Sequence, residues 1–162
     1  MSETDLRNTP DDTLNALSNL LGDILTDLTV VELYSQLGHP SRRFLNEGAS
    51  QAVCVAEEFP DGTVKTDGLV RITMNPTDFL EEKRVQNVGL VYSLPPYDSE
   101  QNKIVLDKIT NSPVIASNCI VILQETTWNH TRIENFGYYA PIETYRFDTI
   151  QISVSQLLDE PK

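Results

Sequence analysis

Residues 114–123, with the sequence VIASNCIVIL, decide how the rest of the chain is interpreted. The segment follows the turn-forming residues 111–113 (Asn-Ser-Pro) and is apolar at both odd and even positions over most of its length. A strand with apolar residues on both sides is typical of the buried interior of a sheet. We therefore predict a central strand here, in a protein built mainly from β-structure.

Other segments alternate in residue character with the period of two that strands require. Between the first two of them, residues 59–63 (FPDGT) combine a proline with a glycine, which predicts a hairpin turn. With the central segment, the predicted strands are residues 52–56, 69–74, 85–94, 103–109, 114–123 and 143–154. The pattern predicts a sandwich or partly closed barrel of about six to eight strands.

The first part of the chain instead has a helical period. Thr9 is a candidate N-cap, Pro10 takes the favoured first helical position, and Gly38 is a candidate C-terminal stop. The apolar residues between them are spaced by 3, 4, 3, 4 and 3, and they form one stripe: Leu14, Leu17, Leu21, Ile24, Leu28 and Val31. Gly22 and the β-branched residues 29–31 weaken this pattern, so two shorter helices are the alternative.

The fold class predicted from these patterns is α+β, mainly β with a long N-terminal amphipathic helix. The predicted organisation is a polar tail at residues 1–8, the helix at 9–38, a linker at 39–50, a β-rich domain at 51–155 and a C-terminal tail at 156–162.

The charge of the chain limits its predicted partners. The 162 residues include 24 acids and 12 bases, a formal net charge of -12. Lys and Arg supply the attraction to nucleic acid phosphates, so we predict no direct nucleic acid partner and no membrane partner. The chain opens with acids and has no apolar signal stretch, which predicts a cytoplasmic protein, or one within a particle assembled in the cytoplasm. Cys54 and Cys119 lie in apolar surroundings and are expected to be buried thiols.

The sequence contains no recognisable catalytic motif. Its two histidines, His39 and His130, lie far apart, and neither metal-ligand spacings nor glycine-rich phosphate-binding loops occur. Glu57 and Glu58 are adjacent, and neighbours in a strand point to opposite faces. We therefore predict no catalytic residue, no cofactor and no metal.

The apolar stripe of the helix must be covered, either by the chain's own sheet or by another chain. Arg42, Arg43 and Trp128 are further candidate contact residues; Trp is frequent at binding hot spots, although it is also often buried. We interpret the protein as a non-enzymatic subunit of an oligomer or larger assembly, such as a capsid-decorating, neck or tail-terminating component of a virus or phage particle.

Two alternatives come from other functional classes. An acidic inhibitor that imitates nucleic acid would carry its carboxylates on one continuous face. A β-barrel enzyme or small-ligand carrier would have an interior pocket with convergent polar groups, for which the candidates are Tyr138, Tyr139, Tyr145 and Arg146.

Overall fold

The computed structural model describes Arg7, residues 9–62 and residues 65–160. Its centre is a seven-stranded sheet. The strands are β1 (Thr29–Leu33), β2 (Gln51–Ala56), β3 (Leu69–Thr73), β4 (Val88–Ser93), β5 (Ile115–Thr126), β6 (Tyr139–Phe147) and β7 (Ile150–Leu157). The helices are α1 (Asp11–Leu21), α2 (His39–Asn46), α3 (Pro76–Phe79) and α4 (Gln101–Thr110), with 3-10 turns at Gly22–Leu25 and Ile133–Asn135.

The strand order is β3-β2-β1-β4-β5-β7-β6. Strands β1 to β5 run parallel, whereas β7 is antiparallel to both β5 and β6. The chain moves outward from β1 to β3 and then returns to place β4 on the other side of β1, so that Val31 lies opposite both Val53 and Val91. The sheet therefore has a topological switch point between β1 and β4.

An apolar core covers each face of the sheet. Residues of α1 and α2 pack on one face in a cluster that includes Leu17, Leu21, Phe44, Leu90 and Ile122. Residues of α3 and α4 pack on the other in a cluster that includes Phe79, Val105, Leu106, Val91 and Val121. Helices on both faces of a mostly parallel sheet define an α/β fold.

The predicted α+β sandwich or barrel is therefore wrong. Four of the predicted strands coincide in position with β2, β3, β4 and β5. Their arrangement differs because a period of two marks a strand without saying whether its neighbours run parallel. Residues 59–62 accordingly lie in a connection between two parallel strands, and the predicted hairpin does not form.

The predicted helix at residues 9–38 is wrong beyond Leu21. Gly22 takes a positive φ of 49° after the last turn of α1, and residues 29–33 form β1. Val30 and Val31 are both fully buried, on opposite faces of the sheet. Because both faces of β1 carry apolar residues, Val31 falls on the 3- and 4-residue spacing of the predicted helix by coincidence.

Three other predicted segments differ from the structure. The predicted linker at residues 39–50 contains α2, and the predicted strand at 103–109 lies within α4. The single strand predicted at residues 143–154 is a hairpin that turns at Asp148, whose φ is 56°. Most of the predicted polar tail at residues 1–8 lies outside the described part of the chain.

Cys54 and Cys119 are free and buried, as predicted. Burial raises the pKa of each thiol to about 12, so both are protonated at neutral pH. Within the described ranges, no helix has the combined length and apolar character needed to cross a membrane.

Candidate functional site

A cleft of about 470 Å³ opens at the carboxyl ends of the parallel strands. Ligands of open α/β sheets bind in the crevice outside these strand ends, at the point where the strand order reverses. The cleft is lined from the loops that follow β1, β2, β3 and β4, from the start of α4 and from Arg7. We call it the switch-point cleft.

The loop after β1 is fixed by hydrogen bonds to Glu32, a residue of β1 that is fully buried. Its carboxyl oxygens accept hydrogen bonds from the Ser35 hydroxyl at 2.5 Å, the Ser41 backbone N–H at 3.0 Å and the Ser41 hydroxyl at 2.8 Å. Burial raises the pKa of Glu32, while these hydrogen bonds oppose the rise. The buried Glu32 carboxyl thus connects β1, the loop after β1 and α2. This loop has no run of glycines.

Tyr34 is the first residue after β1 and lines the cleft. Its φ of 58° is in the left-handed region, which is uncommon for a bulky residue and costs about 1–3 kcal/mol. The phenol donates a hydrogen bond of 3.0 Å to Gln101 Oε1. Burial, together with the negative charge of Glu57, raises the pKa of Tyr34 to about 12. The tyrosine is therefore a neutral donor, held in a strained backbone.

Two exposed carboxylates, Glu57 and Glu58, follow the end of β2 and line the same cleft. Glu57 Oε1 accepts a hydrogen bond of 3.2 Å from Asn75 Nδ2. Asn75 also caps α3 through its side-chain oxygen. The prediction that the two glutamates face opposite sides fails because β2 ends at Ala56, before either of them.

Arg7 is the one basic residue among the described residues that line the cleft. Its backbone N–H donates to Gln36 Oε1 at 2.5 Å, and its Nε donates to the backbone oxygen of Leu94 at 2.8 Å. Gln36 follows β1 and Leu94 follows β4. Arg7 therefore bridges the two loops of the switch point.

The neighbouring Thr9 is also fixed to the sheet. Thr9 Oγ1 and the Tyr92 phenol each donate a 2.7 Å hydrogen bond to Gln124 Oε1. Gln124 Nε2 in turn donates to the Tyr97 phenol oxygen at 3.2 Å. This network ties the N-terminal residues to β4, β5 and the loop after β4.

A second, smaller cavity of about 20 Å³ lies between the loops after β4 and β5 and shares Pro96, Ser99 and Gln101 with the cleft. Its lining includes Asn102 and Thr126, whose buried Nδ2 and Oγ1 have no hydrogen-bond partner among the described residues. Buried polar atoms without partners are uncommon and call for an explanation. They offer polar contacts to a small group at this position.

The loop after β5 carries Trp128, whose side chain is 66% exposed. The loop is anchored on both sides of the tryptophan, since Asn129 Nδ2 donates to Asp98 Oδ1 at 2.8 Å and Thr131 Oγ1 donates to Glu125 Oε2 at 2.6 Å. Trp128 is thus an exposed aromatic side chain on an ordered loop, at the same end of the sheet as the cleft.

The structure does not bring the predicted partner-contact residues together. Leu14, Leu17, Leu21 and Val31 are buried within the chain's own core, so they are not available to a partner. This outcome agrees with the alternative in which the stripe is covered by the chain's own sheet.

The remaining predicted contact residues lie apart from one another. Ile24 and Leu28 line a groove at the amino end of the sheet, opposite the switch-point cleft. Arg42 is half-buried, as is Arg43, which pairs with Glu47 at 3.0 Å. Trp128 lies at the carboxyl end.

The residues proposed for an interior barrel pocket do not line the switch-point cleft. The sheet is open, Tyr139 is buried with its phenol bonded to the Leu106 backbone oxygen, and Tyr138, Tyr145 and Arg146 lie on or beside β6. The described residues also contain no group of His, Cys, Asp or Glu side chains suited to a metal ion.

Sequence reasoning missed the residues that do line the cleft, including Arg7, Tyr34, Gln36 and Gln101. They come from three separate parts of the chain, namely the segment before α1, the loop after β1 and the start of α4, and they share no motif. The sequence does place polar residues directly after β1 and β2, which is where ligands of parallel sheets bind. This pattern indicates a site only if residues 29–33 are recognised as a strand.

No model of a known protein family matches the sequence, and comparison with curated proteins gave no significant match. Comparison with solved structures gave clear matches. A protein of Escherichia coli assigned as a methyltransferase aligns over 96% of this chain and 89% of its own, with a TM-score of 0.79 and 14% identity.

Two further solved structures have the same fold. A methyltransferase from Geobacter sulfurreducens aligns over 96% of this chain and 83% of its own, with a TM-score of 0.73 and 13% identity. An RNA methyltransferase from Salinibacter ruber, in complex with S-adenosyl-L-homocysteine, aligns over 96% of this chain and 97% of its own, with a TM-score of 0.68 and 12% identity. At these identities the likeness shows a shared fold.

These matches correct the functional predictions. The non-enzymatic particle subunit was inferred from a sandwich with a projecting helix, and the chain instead has a fold that its solved neighbours use as methyltransferases. That prediction, with its virion and structural-protein assignments, is wrong. The exclusion of nucleic acid is also wrong, because one neighbour of this fold is an RNA methyltransferase.

Proposed function

We propose that the protein is a methyltransferase that binds S-adenosylmethionine in the switch-point cleft. The observation that carries the proposal is the position and charge of this cleft, at the strand reversal of a methyltransferase-like sheet, with carboxylates after β2 and Arg7 across β1 and β4. When bound, S-adenosylmethionine supplies an electrophilic methyl group on a positively charged sulfur.

The size and chemistry of the cleft fit this group. Its volume of about 470 Å³ lies within the roughly 300–1,000 Å³ of small-molecule sites. S-adenosylmethionine has a ribose diol, a cationic sulfur and no phosphate. The loop after β1 contains the single glycine Gly38 rather than the three glycines that bring backbone close to a pyrophosphate, and Glu57 and Glu58 would repel one. A phosphate-free nucleoside therefore fits this cleft better than a dinucleotide.

Individual residues have defined tasks in this proposal. Glu57 is placed at the end of β2, where an acidic residue of nucleotide-binding α/β folds accepts hydrogen bonds from ribose hydroxyls. Asn75 fixes the Glu57 carboxylate by its 3.2 Å hydrogen bond. Tyr34 and Gln101, bonded to each other, join the loop after β1 to the start of α4 at the cleft and would contact the bound cofactor there.

We propose RNA as the substrate, which is what one solved neighbour is described as methylating. The net charge of -12 gives a weak attraction to phosphates, so binding must depend on other contacts. Trp128 offers one, because a base stacked on an aromatic side chain is worth about 1–3 kcal/mol. Unpaired RNA exposes its bases for such stacking. An RNA substrate is compatible with the predicted cytoplasmic location.

Calorimetric titration with S-adenosylhomocysteine tests the proposal. The wild-type protein is expected to bind it, and Glu57→Gln is expected to weaken binding about 10- to 100-fold, because hydrogen bonds to a charged group are lost. Glu160→Gln, an exposed change near the end of β7, is the matched control and leaves the affinity unchanged. Absence of binding to the folded wild type at millimolar ligand would refute the proposal.

A further inference from the structure

The smaller cavity, between the loops after β4 and β5, is lined by two polar side chains that are almost fully buried. Asn102 is 1% exposed and Thr126 is 3% exposed. Within the described part of the chain, neither Asn102 Nδ2 nor Thr126 Oγ1 has a hydrogen-bond partner. Leaving buried polar atoms unpaired costs free energy, so we expect them to bond a molecule that is not part of the chain.

The orientation of the Asn102 amide defines what this molecule must do. Asn102 Oδ1 accepts a hydrogen bond of 2.6 Å from the Ser93 hydroxyl at the end of β4. The Nδ2 group can only donate, so the molecule must accept a hydrogen bond. The Thr126 hydroxyl can either donate or accept, and it can therefore bond the same molecule.

The charge and size of the cavity restrict the molecule further. A cation has no lone pair with which to accept a hydrogen bond from Asn102. An anion is disfavoured because the lining carries three carboxylates against one lysine, namely Asp98, Glu100, Glu125 and Lys103. The cavity volume of about 20 Å³ is enough for one water molecule, which needs about 10–15 Å³. Water is a neutral molecule of this size that both donates and accepts.

We propose that a water molecule binds in this cavity, where it accepts a hydrogen bond from Asn102 Nδ2 and also bonds the Thr126 hydroxyl. Asn102 lies in the first turn of α4 and Thr126 is the last residue of β5, so the water joins the helix to the strand. Gln101, the neighbour of Asn102, lines the switch-point cleft. The water therefore also stabilises that side of the cleft. The inference does not depend on the proposed function.

Nuclear magnetic resonance of the whole protein tests the proposal directly. We expect cross-relaxation between water and the side-chain amide protons of Asn102, with the sign of a bound rather than a freely diffusing water. The side-chain amide of Gln151 is the control and should show none, because it is also buried but donates to the Ser153 hydroxyl at 3.5 Å. Absence of the signal at Asn102 in the folded wild type would overturn the proposal.

Substitutions at Thr126 provide an independent test. Thr126→Val keeps the shape of the side chain and removes the hydroxyl. Because a hydrogen bond to the water is lost, the urea midpoint of unfolding should fall by about 0.3–0.8 M, and the water signal at Asn102 should weaken. Thr126→Ser keeps the hydroxyl and should keep the signal. If the hydroxyl has no partner, its removal leaves the midpoint unchanged or raises it, and this result would contradict the proposal.

Thr13→Val is the matched control for the loss of a hydroxyl. The Thr13 hydroxyl is likewise buried and has no partner among the described residues, but Thr13 does not line this cavity. Its removal should therefore leave the urea midpoint unchanged or raise it. A fall at Thr126 without a fall at Thr13 supports the bound water. An equal fall in both variants would count against it, because the loss would then not depend on the cavity.

Discussion

The two ends of the central sheet differ in the types of residue that adopt a positive φ. Both carry a depression, of about 470 Å³ at the carboxyl end and about 320 Å³ at the amino end. At the amino end, the non-glycine residues with positive φ are Asp27, Asn87 and Asn118, residue types that tolerate this region. At the carboxyl end, Asp98 and Asp148 adopt positive φ, and so do Tyr34 and Glu100. A tyrosine or glutamate adopts this region only at a cost in conformational energy.

Backbone strain therefore marks the end of the sheet that we assign to function. Strained residues persist where their surroundings hold them, and they occur often at ligand sites. Tyr34 is held through Gln101, and its loop is held through Glu32. In the amino-end groove, exposed hydrogen bonds such as that from Gln156 Nε2 to the Asn118 backbone oxygen at 3.3 Å fix the lining, and no buried carboxyl is among the described residues that line it. A depression alone is therefore a weaker indicator of function than a depression built around strained, hydrogen-bonded side chains.

The largest expected effect comes from removing the anchor of the carboxyl end. Glu32→Ala leaves the donors of Ser35 and Ser41 unpaired and opens a cavity, so we expect the free energy of unfolding to fall by about 2–4 kcal/mol. Urea denaturation at neutral pH measures the change. Glu134→Ala, at an exposed position, is the control and should cost less than about 0.5 kcal/mol. An equal, small loss in both variants would contradict the anchoring role.

A smaller effect tests the strain at Tyr34. Because glycine adopts positive φ without cost, Tyr34→Gly should be more stable than Tyr34→Ala by about 1 kcal/mol in thermal or urea unfolding. At Ile24, exposed in the amino-end groove and without a positive φ, the order should reverse, with Ile24→Ala more stable than Ile24→Gly. Both Tyr34 variants lose the ring and should bind S-adenosylhomocysteine about tenfold more weakly. The same order of stability at both positions would show that Tyr34 is not strained.

The smallest effect is expected in the amino-end groove. A Cβ added at Gly89 would lie 2.5 Å from Cδ2 of Leu28. Leu28 is half-buried beside the groove, so its side chain can move aside, and Gly89→Ala should cost less than about 1 kcal/mol. Its affinity for S-adenosylhomocysteine should equal that of the wild type. A weakened affinity would mean that the two ends of the sheet are coupled, and would contradict the assignment of ligand binding to the carboxyl end alone.

The sequence predicted the positions of several strands but not their arrangement. Residues 114–123 were expected to form a central strand, and β5 is buried between β4 and β7. Parallel and antiparallel strands share the same period, so the mostly parallel sheet could not be read from alternation. β1 was mistaken for helix because a strand buried on both faces has no period of its own.

The cleft was less accessible to sequence reasoning than the sheet. Its residues come from loops that follow different strands, and they become neighbours only when the strand order is known. The alternation in sequence predicts a strand that continues through Glu57 and Glu58, which would place the two carboxylates on opposite faces and outside a common site. Arg7 carried no signal, since its role depends on Gln36 and Leu94, which are distant in sequence.

The place of β7 between β5 and β6 constrains how the protein folds as it is synthesised. One side of β5 pairs with β7, whose residues leave the ribosome after those of β1 to β6. Until then β5 presents an unpaired row of backbone groups beside the apolar residues 120–123, and an exposed strand of this kind invites pairing with other chains. The nascent protein therefore passes through a stage at which the arrival of β7 competes with pairing between chains, and slow translation of residues 150–157 would lower the yield of folded protein.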